Sequence, residues 1–160
     1  MRPRARLSLV ALAASAVLAT SATSAHHGFT GRYDVSQPLW LEGEVTRIYF
    51  GQPHPVVTLR TSPALALPTA APDLAGAGDV IAEGALAVRP DTLGRELTVE
   101  FPPIQAFFAL ARSVMVGDRV AVIAFRNCDA PYQLRGQWIR LRTSTPVAIS
   151  GRVQYQVEAC

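Results

Sequence analysis

The strongest constraint on this chain is one alternating segment, Leu39-Trp40-Leu41-Glu42-Gly43-Glu44-Val45, that changes phase without stopping. Leu39, Leu41 and Val45 take one face and Glu42 and Glu44 the other, the period-two pattern of a half-buried β-strand. Beyond Arg47 the apolar members are Ile48 and Phe50, out of step with the first set. A one-residue slip turns every later side chain to the opposite face, so the strand must bulge or coil there. Gly43 eases the bend. Long, bent first strands are what small closed barrels need.

Gly31 to Gln37 is polar, and Pro38 opens the strand. Gly51-Gln52-Pro53-His54-Pro55 is a turn by composition, after which Val56 to Thr61 pairs back as a hairpin. Ser62 to Gly78 is rich in Ala, Pro and Gly with almost no charge, and reads as a poorly ordered insertion that Leu65, Leu67 and Leu74 could pin in part. Val80 to Val88 and Glu96 to Phe101 are the next strands. Pro102-Pro103 stops the second of these and opens a helix, with Ile104, Phe107, Phe108 and Ala111 on its apolar face, ending near Ser113. Val116-Gly117-Asp118 is a tight turn in which Asp118 caps its own backbone. Arg119 to Phe125 then forms a nearly continuous apolar run of buried-strand type. Gln137 to Thr143 alternates again, and Val153, Tyr155 and Val157 mark a last strand.

Strands, one helix, then strands: this order predicts an all-β protein with one short helix. The architecture is a small Greek-key barrel of the oligonucleotide/oligosaccharide-binding (OB) type, the helix plugging it between strands three and four. An immunoglobulin-like sandwich is the alternative, weakened by that helix.

Residues 1–25 carry the parts of a secretory signal peptide: Arg2, Arg4 and Arg6, a short apolar core from Leu7 to Ala19, and small residues at Thr23-Ser24-Ala25. The core is too short to span a bilayer, and no second long apolar run follows, so no membrane span is expected after cleavage. No Cys stands at the cleavage point for lipidation, and no paired arginines mark a twin-arginine leader. The expected compartment is the periplasm or the exterior. Cleavage after Ala25 would begin the mature chain at His26; a cut after Ala22 would leave three residues before it. Residues 26–37 then form a mature N-terminal segment and 38–160 the barrel domain, with its insertion at 62–78.

The chain has 15 Lys+Arg, all of them Arg, against 12 Asp+Glu. Without the three leader arginines the two signs balance, which argues against a nucleic-acid partner. Gly-x-Ser-x-Gly, His-Glu-x-x-His and glycine-rich phosphate loops are all absent, so a binding or accessory module is expected and not an enzyme.

His26-His27-Gly28-Phe29, Tyr33-Asp34, Pro38, the strand Leu41 to Ile48, the turn Pro53-His54 and Val116-Gly117-Asp118-Arg119-Val120 together resemble a bacterial family of exported proteins with no assigned activity. Its mature chains begin Ala-His-His-Ser-Phe and continue through a Tyr-Asp, a Gly-x-Val strand, an Asn-Pro-His turn and a later Gly-Asp. Gly28 stands where the family has Ser, and Gln52 where it has Asn. The likeness covers His26 to about Leu59 and Val116 to Phe125. It implies an OB-like exported domain and lends no ligand.

Three groups of residues carry possible chemistry. His26, His27 and His54 are the only histidines. A free amine and ring nitrogen on His26, joined by His54, would make a T-shaped three-nitrogen site suited to copper, resembling a histidine brace; alternatively His27 binds through its ring and the intervening peptide nitrogen. Cys128 and Cys160 are expected to form a structural disulfide in an oxidising compartment. Trp138, Arg140 and Arg142, with Arg135 nearby, are expected on one strand face, where an OB barrel can stack a ligand. Two functions follow as expectations: copper binding by the processed N-terminus with His54, or a metal-free envelope module that takes a protein or glycan on the barrel face.

Overall fold

The computed structural model describes residues 31–82, 84–142, 144–152 and 155–160. Its elements are β1 (Tyr33–Tyr49), β2 (Val56–Thr61), α1 (Gly78–Ile81), β3 (Glu96–Glu100), α2 (Gln105–Phe108), β4 (Arg119–Asn127) and β5 (Leu134–Leu141). Two-residue strands β6 (Val147–Ala148) and β7 (Gln156–Val157) follow.

β1 serves two neighbours in turn. Its earlier part pairs antiparallel with β4, Leu39 opposite Ala124 and Glu44 opposite Arg119. Its later part pairs antiparallel with β2, Gly43 opposite Thr61 and Tyr49 opposite Val56. The slip expected near Arg47 is there, as a register shift between Val45 and Arg47. At Gly43 both partners are engaged at once, and a Cβ would stand 2.2 Å from the Arg60 carbonyl oxygen. Only glycine admits so close an approach.

β3 pairs with β2 along its length and, in parallel, with the start of β5. β5 returns antiparallel along β4, closing the ring β1-β2-β3-β5-β4-β1. This closed five-stranded barrel with its helical segment between β3 and β4 is the OB arrangement. The ring leaves no pair of separate sheets, so the sandwich alternative falls.

The helical segment is shorter than its apolar spacing predicts. α2 gives way after Phe108 to a 3-10 turn, Ala109–Arg112. Tightening toward three residues per turn rotates the inward face to Phe107, Leu110 and Val114, which are buried, while Ala111 is exposed. The Phe107 ring packs on Phe101 with centroids 4.9 Å apart.

Among the described residues there are two cores. Leu39, Leu41, Val45, Leu59, Val99, Phe101, Val122 and Ile139 belong to the one inside the barrel. The second lies against the outer face of β1, β4 and β5 and gathers Tyr33, Val35, Trp40, Ala77, Val80, Ile81, Ile123, Phe125 and Trp138. The continuous apolar run of β4 thus has a simple origin. Val120, Val122 and Ala124 point into the first core; Ala121, Ile123 and Phe125 point into the second.

The cover of the second core is the low-charge insertion. Leu65 and Leu74 pack on it, as do Leu86 and Val88, whereas Leu67 is exposed. The Trp138 indole N–H donates to the Asp73 carbonyl at 2.9 Å, and the Ala85 and Ala87 N–H groups donate to Ser36 and Pro38. Leu65, Leu74 and the Asp73 carbonyl are thus the points at which the insertion packs on the barrel. Val80 to Val88, expected as a strand, instead contains the end of α1 and a single parallel bridge from Ala87 to Leu39. Its apolar residues face the second core, which is why their pattern resembled a strand's.

That cover also corrects the expected ligand face. Trp138 is fully buried and its ring lies 5.8 Å from that of Trp40. The Arg140 guanidinium sits 5.5 Å from the Trp138 centroid. Arg142 is exposed beyond the strand, 3.5 Å from Asp118. Alternation alone does not say whether an outer face meets water or an insertion. Here it meets the insertion.

The last strand shortens to Gln156–Val157, parallel to Tyr33 and Asp34; Val153 lies outside the described residues. Cys128 and Cys160 are bonded, S–S 2.06 Å, as expected. Among the described residues no helix is long and apolar enough to cross a membrane.

Candidate functional site: a groove between two barrel loops

The β1–β2 turn supplies one end of a groove. Pro53 and Pro55 restrict its backbone, and between them His54 is buried with Nδ1 3.9 Å from the Glu100 carboxylate.

The β4–β5 loop, Cys128–Gln133, supplies the other wall. Its base is fastened by backbone bonds: Cys128 N–H to Arg32 C=O at 2.7 Å and Asn127 N–H to Gln133 C=O at 2.8 Å. Asn127 Oδ1 accepts from the N–H of Arg32 and of Asp129. The disulfide adds a covalent anchor at Cys128. At the loop's tip Tyr132 adopts φ 59, left-handed backbone that disfavours a bulky L-residue by about 1–2 kcal/mol. Its ring is half exposed, and the Arg126 guanidinium lies 4.5 Å from the ring centroid.

Arg126 is held in turn. Its Nη1 donates to Asp91 Oδ2 at 2.7 Å, and Arg89 Nε donates to Asp91 Oδ1 at 3.1 Å. Burial alone would raise the Asp91 carboxyl, but the hydrogen bonds and charges of Arg126 and Arg89 hold it below the ordinary carboxylate value.

Between these walls runs the outer face of β3, with Glu96, Thr98 and Glu100. The groove measures about 740 Å³, within the range of small-ligand sites. Its lining carries the carboxylates of Asp91, Glu96 and Glu100 against the single guanidinium of Arg126, so it is acidic. Tyr33 opens β1 beside it: its hydroxyl donates to Gln133 Oε1 at 3.0 Å. Burial, with help from the Glu100 carboxylate, pushes the Tyr33 phenol up to about 12. Behind it Arg135 is buried 5.9 Å from the Tyr33 ring centroid, and that burial pulls its guanidinium down to about 10.

Of the residues singled out from sequence, His54 lines this groove, while Trp138, Arg140 and Arg142 lie outside its lining. His26 and His27 lie outside the described residues. Among the described residues no cluster of three or more His, Cys, Asp or Glu is placed to hold a metal ion, and His54 offers one imidazole. Sequence reasoning missed Asp91, Glu96, Arg126 and Tyr132. The one available signal was Pro131-Tyr132 between the fourth and fifth strands, where an OB barrel carries a binding loop. No protein-family model matches the chain, and no curated protein matches it.

Proposed function

We propose that the protein is an exported binding module of the bacterial envelope, periplasmic after removal of residues 1–25, whose working site is the groove between the β1–β2 turn and the β4–β5 loop. The observation that carries this reading is the location of the acidic cavity of about 740 Å³ at the loops by which OB barrels take ligands. The strained, half-exposed Tyr132 supports it, because strain of this kind gathers at ligand clamps. A bonded cysteine pair and the resemblance to an exported family support the compartment. The natural occupant is an envelope protein or glycan. Titration of isotope-labelled mature protein with a soluble digest of bacterial peptidoglycan tests the site: amide shifts at Thr98, Tyr132 and Gln133 are expected, weakened in Tyr132→Ala. Shifts confined to residues outside the groove would refute it.

Copper binding is a second reading, favoured by one relationship. His54 and Gln133 line the same groove, and Tyr33 reaches Gln133, so β1 begins beside His54's groove. His27 precedes Tyr33 by six residues, an extended reach of up to about 20 Å. The ligands would be the His26 amine and ring, or the His27 ring, with His54. Intact mass identifies the first mature residue, and Cu(II) titration followed by electron paramagnetic resonance is expected to lose a nitrogen donor in His54→Ala. An unchanged spectrum, or a mature chain that starts elsewhere, rejects this reading.

A further inference from the structure

Resting on the groove as the binding site, we propose that its occupant is an extended, basic polypeptide segment that adds as a strand to β3. The argument begins with backbone direction. The Phe101 N–H donates to the Pro55 carbonyl at 2.8 Å, and the Thr61 N–H to the Arg95 carbonyl at 2.9 Å. In an antiparallel pair alternate residues turn their backbone groups to the same neighbour. Arg95, Leu97, Val99 and Phe101 therefore face β2, while Glu96, Thr98 and Glu100 face away from it. On that side β5 meets β3 only through Val99 opposite Leu134 and Glu100 opposite Arg135. Glu96 and Thr98 thus present an edge with no strand partner among the described residues, and both line the groove.

Such an edge is a template for an added strand. An incoming peptide would pair beside Glu96 and Thr98 and stop short of Glu100, whose place on that edge Arg135 of β5 takes. A cross-strand pair of opposite charge favours Lys or Arg opposite Glu96, whose part-exposed carboxylate meets the exposed Arg60 of β2 at 3.5 Å on its other side. Across the groove Arg126 and Arg89 both bond Asp91, so each guanidinium there has a carboxylate partner. The Tyr132 ring offers the peptide an apolar and cation-attracting surface on the far wall.

The probe is a fluorescein-labelled heptapeptide alternating Lys with Val, added to the processed full-length protein and read by anisotropy. Saturable binding is expected, weakened about fivefold by Glu96→Lys, through one reversed cross-strand pair. N-methylation of the probe at the amides facing β3 should weaken it as much, since each lost backbone bond is worth about 1 kcal/mol. This second arm leaves the protein untouched, so a misfolded variant does not decide the outcome. Thr98→Pro, which deletes the groove-facing N–H on an edge that tolerates proline, is expected to match it. Equal binding of the N-methylated probe overturns strand addition, and equal binding of a probe with Glu in place of Lys overturns the charge assignment. If the Lys probe fails while peptidoglycan fragments shift groove amides, the peptide class is wrong and the groove stands. If neither binds, both fall.

Discussion

The indole rings of Trp40 and Trp138 lie 5.8 Å apart on the outside of the barrel, yet both are buried. They come from different strands and both flank Ile123 of β4 in register. Removing one should expose how much the insertion contributes. Trp138→Ala is expected to destabilise by about 3–5 kcal/mol through lost burial and a residual cavity. Trp138→Phe keeps most of that area and leaves the Asp73 carbonyl without its donor, a loss nearer 1 kcal/mol. Urea midpoints at constant slope give both values; equal, small losses would mean the cover does not pack.

Gly43 and Gly78 should respond oppositely to alanine. At Gly43 the new methyl would press on the Arg60 carbonyl, and destabilisation of about 1–3 kcal/mol is expected. Gly78 has helical φ −54 and nothing within 4 Å of its would-be Cβ. Alanine there should stabilise by about 0.4–1 kcal/mol by restricting the unfolded chain. Thermal unfolding of the two variants beside the parent checks the contrast.

The Cys128–Cys160 bond joins residues 32 apart in sequence. Restriction of the unfolded chain over such a loop is worth about 3–4 kcal/mol. Cys160→Ser, or reduction of the parent, should lower the melting temperature accordingly. It should also weaken groove binding, because the Tyr132 loop loses its covalent anchor while the barrel stays folded.

Tyr33 should report on alkaline unfolding. Its folded pKa, raised to about 12, exceeds the ordinary value of 10.0, so the folded state keeps a proton that the unfolded chain releases. The stabilisation is complete below pH 10 and is lost as pH rises through about 12. Two units correspond to about 2–3 kcal/mol. Ultraviolet titration should show one delayed phenolate step, absent in Tyr33→Phe, whose stability should vary less across that interval.

Much of the barrel was legible in the order of residues because its strands obey local rules. The slip near Arg47, the hairpin into Val56–Thr61 and the strands at Glu96 and Arg119 each follow from alternation or a bounded apolar run. Val80 to Val88 misled because packing on a second core leaves the same apolar trace as packing within a sheet. Trp138 misled for the complementary reason: its cover comes from far earlier in the chain, the Asp73 carbonyl that takes its indole N–H being 65 positions away. The groove was illegible except at His54. Its walls come from the separate segments around Pro53, Asp91, Glu96 and Tyr132, which only ring closure brings together.

The double duty of β1 also sets the order in which the molecule can assemble. β2 follows within one short turn, so the hairpin can zip in about 1–10 μs. Leu39 finds Ala124 only after the whole middle of the chain has been gathered in, a search on the scale of about milliseconds to seconds. During that wait the flank of β1 is a bare, apolar seam open to other copies. Burial of that seam therefore waits on β4, the zipper that ends its exposure.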